Sequence, residues 1–180
     1  MTGPDETPLR AAVRAAVAAR IPIDDAEGDS IATFLRHFDE LAHPFDEHAD
    51  PVHVTGSAFV VGPRGVVLLR HKRMGMWLQP GGHIDRGETP WDGALREATE
   101  ETGLACRFAD DPPRLVHVDV HPGPRGHLHL DLRYLVDGGD ADPDPPEDES
   151  QLIGWFGWDE AIELAGDPRL AAALRSIRPA

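Results

Sequence analysis

A chain of 180 residues with 41% hydrophobic composition is long enough to bury one core and too short for two ordinary domains. Its single cysteine, Cys106, excludes an intramolecular disulfide and any Cys-rich zinc framework. The formal net charge of −15 argues against a nucleic acid polymer held on a broad basic surface, whereas a small phosphorylated substrate stays compatible once bound cations supply positive charge locally.

No apolar run reaches membrane-spanning length, and the opening MTGPDETP is acidic and Pro-rich where a secretory signal would be basic and then apolar. The expected setting is cytoplasmic, with no membrane partner. Residues 8–20 are Ala-rich, with Leu9, Val13, Ala16 and Val17 on one stripe, and predict a helix. A second helix is expected over SIATFLRHFDEL, where Ile31, Phe34, Leu35, Phe38 and Leu41 share a face behind an Asp29 or Ser30 cap. Residues 1–50 thus read as a helical N-terminal extension, which offers a surface for a homodimer, and residues 51–180 as the main domain.

From Val52 the pattern becomes β-rich. VHVTGSAFVV and VVLLRHK flank a Pro-Arg-Gly turn, a hairpin signal. WLQPGGHIDRGETP reads as a loop, and WDGALREATEETG as an amphipathic helix with Trp91, Ala94, Leu95 and Ala98 on one face and acids on the other, ended by Gly103. LVHVDV and HLHLDLRYLV alternate strictly and predict two strands. DGGDADPDPPEDES is an acidic loop, LIGWFGW a last strand, and DEAIELAG and RLAAALRSI closing helices.

The acidic helix carries the chemistry. Successive helical residues turn by about 100°, so Glu97, Glu100 and Glu101 share one face. Like charges at such spacing cost a few tenths of a kcal/mol per pair, roughly, unless a cation neutralises them. Carboxylates and carbonyls suit the hard ions Mg²⁺ or Mn²⁺ better than zinc. The glycines Gly81, Gly82 and Gly87 permit a tight turn beside that face.

Read from Gly82, GHIDRGETPWDGALREATEETGL fits the pattern G-x5-E-x7-R-E-U-x-E-E-x-G-U at Gly82, Glu88, Arg96, Glu97, Ala98, Glu100, Glu101, Gly103 and Leu104. Seven fixed identities coincide by chance on the order of 10⁻⁸ per starting position. The chain therefore resembles the Nudix (MutT-like) hydrolase superfamily over roughly residues 52–165. The resemblance implies an α/β fold, the Nudix α/β/α sandwich with a mixed β-sheet, here with the N-terminal helical extension. It implies hydrolysis of a pyrophosphate bond in a nucleoside diphosphate linked to another moiety (a nucleotide, nucleotide sugar or dinucleotide), with Mg²⁺ or Mn²⁺ and water attack on phosphorus. Glu97, Glu100, Glu101 and the Gly81 carbonyl would hold metal. Arg96 and Glu88 would brace loop and helix. The general base would be Glu100 or Glu101, with Glu147 and Glu149 of the acidic loop as alternatives.

Substrate contacts are expected from Arg70, His83, His127, His129 and Arg133, the last three sharing a strand face with Asp131 that reads equally as a polar network satisfied internally and, less readily, as a second metal site. His71 and Trp77 are further candidates near the loop. Two other readings share the fold: an isomerase of the isopentenyl-diphosphate type, which needs a reactive cysteine in the cleft, and a non-catalytic nucleotide-binding module. Cys106 reads instead as a small buried residue.

Overall fold

The computed structural model describes residues 7–179; the opening residues 1–6, part of the segment read as unlike a secretory signal, lie outside them. In chain order the elements are α1 (Thr7–Ala19), α2 (Asp25–Glu40), β1 (Val52–Gly62), β2 (Gly65–Arg70), β3 (Trp77–Leu78), β4 (Gly81–His83), α3 (Pro90–Thr102), β5 (Arg107–Phe108), β6 (Leu115–Pro122), β7 (Leu128–Asp137), β8 (Ile153–Phe156), α4 (Trp158–Leu164) and α5 (Pro168–Ile177). Among the described residues no helix is long and apolar enough to cross a membrane.

Helix α2 begins earlier than the expected Asp29 or Ser30 cap. Asp24 is the N-cap and accepts from the Glu27 amide at 2.8 Å. Glu27 explains why the extra turn holds. Its buried carboxylate accepts from the amides of Ile23 (2.7 Å) and Val118 (3.0 Å) and pairs with Arg20 at 2.8 Å. One side chain thereby caps the helix entry and ties α2 to β6.

The sheet is mixed. β1 runs parallel to β7 from Val52↔Leu128 to Val61↔Asp137. Its other edge is shared by two antiparallel partners, β4 at Thr55↔His83, Gly56↔Gly82 and Ser57↔Gly81, and β2 at Val61↔Val66 and Gly62↔Gly65. β2 also pairs with β3 and β8, and β7 with β5 and β6. The stretch WLQPGGHI, expected as loop, therefore contains two short strands, β3 and β4. They form because they complete edge hydrogen bonds of β2 and β1, not because of any pattern of their own.

Helices cover both faces. On one, Val54, Ala58 and Val60 of β1 and Leu130, Leu132, Tyr134 and Val136 of β7 pack with Ala94 and Ala98 of α3, Phe34 and Phe38 of α2, and Val13 and Val17 of α1. On the other, Phe59, Val66, Leu68 and Leu135 meet Ala161 of α4 and Leu170, Ala173 and Leu174 of α5. The result is an α/β/α sandwich. Helices α1 and α2 share a core with α3 and the sheet.

The approach of α3 to β1 is set at Gly56, where an added Cβ would lie 2.4 Å from the Pro90 carbonyl oxygen and 3.1 Å from the Ala94 amide nitrogen. Both are backbone atoms that no rotamer change can move. Gly56→Ala is therefore expected to lift the start of α3 and cost about 1–3 kcal/mol, read as a lower thermal midpoint. An unchanged midpoint would show that α3 has slack at this contact.

Candidate active site

Helix α3 is held at both ends. Thr89 caps it by accepting from the Asp92 amide at 3.1 Å, Pro90 occupies the first turn, and Gly103 ends it in the left-handed region at φ 69°. With Ala94, Ala98 and Thr102 buried against the sheet, Glu97 and Glu101 fall on the flank beside β4, and Glu100 points further into solvent.

Arg96 is the hub. Its Nε donates to Glu88 Oε1 (2.9 Å), its Nη2 to Glu88 Oε2 (3.1 Å) and to the His83 carbonyl (2.9 Å), and its Nη1 to Glu97 Oε1 (2.8 Å) and Glu100 Oε2 (3.2 Å). The hydrogen bonds it donates to Glu88 raise its already high pKa further, against the opposing effect of burial, so it is a fixed cation. The fork clamps loop 83–89 to the helix and aims Glu97 at the turn. A Cβ on Gly82 would lie 2.4 Å from Glu97 Oε1. Glu101 Oε2 accepts from the Gly81 amide at 2.9 Å.

Burial pushes the Glu101 carboxyl up to about 8, with the charges of Glu97, Glu149 and Glu100 adding to it and the Gly81 amide opposing. Glu97 is raised too, by burial first, despite its bond to Arg96. Of the two loop acids, Glu149 is the one whose charge reaches both carboxylates. Glu147 and Glu149 line an open cleft of ≈ 460 Å³ together with Arg70, His71 and Lys72. Arg70 itself donates to the Gly75 carbonyl at 3.0 Å. His71 lies beyond the end of β2, where its Nδ1 accepts from the amides of Arg73 and Met74. Trp77 packs edge-on to Phe156.

The histidine-bearing strand forms a second group, on the face of the sheet away from α3. His129, Asp131 and Arg133 alternate along β7 as expected, but His127 precedes the strand. Arg133 is fully buried, donating to Asp131 (2.9 Å) and Asp119 (2.8 Å). Asp131 also accepts from Thr55 (3.0 Å) and Ser57 (2.8 Å), and Asp119 is bonded to His121 (3.0 Å) and Arg169 (3.3 Å). Burial alone would raise the Asp119 carboxyl, but the bond to His121 and the charge of Arg133 hold it far below the usual range. Arg133 therefore belongs to an internal network, of which Asp119 and the Asp131 donors Thr55 and Ser57 were not singled out from the sequence. His83 and His129 lie beside His53, which was also not singled out, although it alternates with Thr55 and Ser57 as His129 does with Asp131. Desolvation lowers all three imidazoles, His129 to about 4.

Residues 51–177 match the NUDIX domain family, more than half of the chain. The chain belongs to the Nudix family. A MutT-like protein of Streptomyces ambofaciens is 31% identical over 144 residues, 77% of this chain and 88% of its own length. A Mycobacterium tuberculosis protein whose name carries the words 8-oxo-dGTP diphosphatase is 30% identical over 119 residues; the match takes in 63% of this chain and only 54% of that protein. The Nudix fold itself recurs in a NUDIX-family hydrolase of Clostridium perfringens, with TM-score 0.61 at 24% identity, covering 70% of this chain and 98% of that one. The Nudix box of this chain is thus the segment from Gly82 to Leu104 that α3 and Arg96 organise. Cys106 lies just past that helix with its Sγ 3.9 Å from Thr102 Oγ1, packed against the core. Burial pushes its thiol up, opposite to what a reactive cysteine requires.

Proposed function

We propose that the chain is a divalent-cation-dependent pyrophosphohydrolase acting on a small nucleoside diphosphate derivative (a nucleotide, nucleotide sugar or dinucleotide). The observation that carries this reading is the gathering of Glu97 and Glu101 against Gly81 and Gly82, with a fixed arginine behind them. Two carboxylates, both raised by burial first and then by neighbouring acids (Glu101 by Glu97, Glu149 and Glu100; Glu97 by Glu100 and Glu149), fit a hard divalent cation, Mg²⁺ or Mn²⁺, which removes the repulsion. Glu97, Glu101 and the Gly81 carbonyl would hold it, with Glu100 at the solvent side. When bound, such a cation supplies charge neutralisation at a diphosphate and acidifies water.

The chain's own residues do the rest. Arg96 and Glu88 fix the loop so that Glu97 needs no reorganisation. Glu149, on the cleft wall and with a charge that adds to the rise of both carboxylates, is assigned as the proton acceptor for the attacking water, ahead of Glu100, which Arg96 holds. Glu149→Gln is expected to lower kcat by about 10²-fold with KM little changed, and Glu147→Gln to leave kcat within a few-fold. Equal effects at the two positions would move the base back to the box. The MutT-like and 8-oxo-dGTP diphosphatase names of the relatives favour nucleoside triphosphates as the first compounds to test.

The reading is tested by product release from nucleoside di- and triphosphates, nucleotide sugars and dinucleotides with Mg²⁺ or Mn²⁺ and with EDTA. Cation-dependent turnover of one class supports it, and silence across the panel sinks it. The isomerase reading finds no support in the position of Cys106.

A further inference from the structure

Beyond the box, the geometry points to a second cation site, built from His53, His83 and His129 with Glu47 as fourth ligand, that binds a borderline divalent ion of the Zn²⁺ class. The three imidazoles come from β1, β4 and β7 and face the same side of the sheet: His53 is directly opposite His129 in the parallel pair, and His83 is opposite Thr55, two residues along. Their ring centroids are 5.1, 5.2 and 5.4 Å apart, and one ligand nitrogen from each lies within 4.8 Å of the others.

The Nε2 atoms of all three are buried and lack hydrogen-bond partners. A buried imidazole nitrogen without a partner is unfavourable, so three gathered in one place call for an occupant. The tautomer is the right one at His53. Its Nδ1 contacts the Asp50 carbonyl at 3.1 Å, and since a carbonyl can only accept, Nδ1 carries the proton and Nε2 presents its lone pair. Glu47 Oε2 lies 3.3 Å from His83 Nε2, close enough to join as an anionic ligand. Three imidazoles and a carboxylate form a tetrahedral donor set that suits zinc, with bonds of about 2.0–2.2 Å, and not the hard ions that carboxylates favour.

The site does not depend on turnover at the box, and its ion would tie loop 41–51 and β1, β4 and β7 together. Because β4 also presents Gly81, it would stiffen the strand on which Glu101 rests.

The test uses the full chain, stripped with chelator and then dialysed against Zn²⁺ in the presence of excess Mg²⁺. Uptake of one equivalent is expected, together with a higher thermal midpoint. Glu101→Gln should keep that equivalent, while His53→Ala and His129→Ala should weaken it by more than about 10-fold. X-ray absorption on the zinc-loaded wild type needs no variant to fold: a first shell dominated by imidazole nitrogen is expected. No uptake, an oxygen-only shell, or loss of zinc in Glu101→Gln with retention in the histidine variants would each overturn the site. None of these readouts requires a substrate, so failure here leaves the hydrolase reading standing, and the reverse.

Discussion

Glu101→Gln is expected to reduce turnover at least about 10²-fold while leaving the protein as stable as before or more so. The rate loss follows from removing a charged ligand while nearly keeping its shape, and corresponds to roughly 2.7 kcal/mol of transition-state stabilisation. The stability expectation follows from the same geometry with opposite sign. Glu101 is buried, and its ionisation is opposed by burial and by the charges of Glu97, Glu149 and Glu100. A neutral amide keeps the acceptor for the Gly81 amide, whose bond to Oε2 is 2.9 Å, and removes that repulsion. Steady-state rates with Mg²⁺, set beside thermal unfolding in chelator, separate the two. A variant that loses activity and stability together would mean that Glu101 is a structural strut, and near-normal turnover would remove it from the site.

The second large effect is expected at Arg133. Arg133→Met leaves Asp131 buried without its cation and Asp119 with only His121 and the half-exposed Arg169, which costs about 3–5 kcal/mol and, for a chain of this size, roughly 10 °C in thermal midpoint. The pH dependence distinguishes this cause from simple loss of packing. In the wild type the folded Asp119 carboxyl is depressed, so its contribution is present above the unfolded value of about 3.9 and is lost as pH falls through the folded one. In the variant burial acts on the Asp119 carboxyl with less to oppose it, so that carboxyl rises and the deficit should shrink as pH is lowered from 7 to 5. A deficit constant over that range, measured by thermal unfolding in parallel series, would mean that the guanidinium acts only by filling volume.

Helix α3 and its glutamates were legible because their information is local: a 3.6-residue period, a Pro start, a Gly stop and a fixed spacing of acids. The start of α2 was legible in principle, since Asp24 and Glu27 have the spacing of a capping box. Gly28 and Asp29, both poor helix formers, mask that start, and nothing local signals that Glu27 is buried against β6. β3 and β4 were out of reach. Two or three residues carry no periodicity, and such strands exist only because a neighbouring edge needs partners. Arg133 was placed on the correct strand face, yet whether a polar face meets substrate or an internal network depends on what lies opposite. Here that is Asp119 from β6 and Arg169 beyond it, neither predictable from alternation. His53 shows the same limit more sharply, because its two neighbours become neighbours only through the parallel register of β1 with β7 and the docking of β4.

That register also governs how the molecule can be assembled. β1 is complete by residue 62, but the strand that covers its long edge spans Leu128–Asp137, with β1 residues meeting partners some 76 positions on, as Thr55 meets Asp131. While the intervening segment is being synthesised, β1 presents an open, largely apolar edge, the kind of surface that pairs indiscriminately with other chains. Helices α1 and α2 pack on a face of the sheet and do not cover this edge, and the Glu27 bond to the Val118 amide forms only once β6 exists. Local hairpins and helices then form before anything holds them together, so folding is dominated by distant pairings and is slow for a protein of this length. Dilute refolding conditions and an unhurried rate of expression follow as the practical consequence.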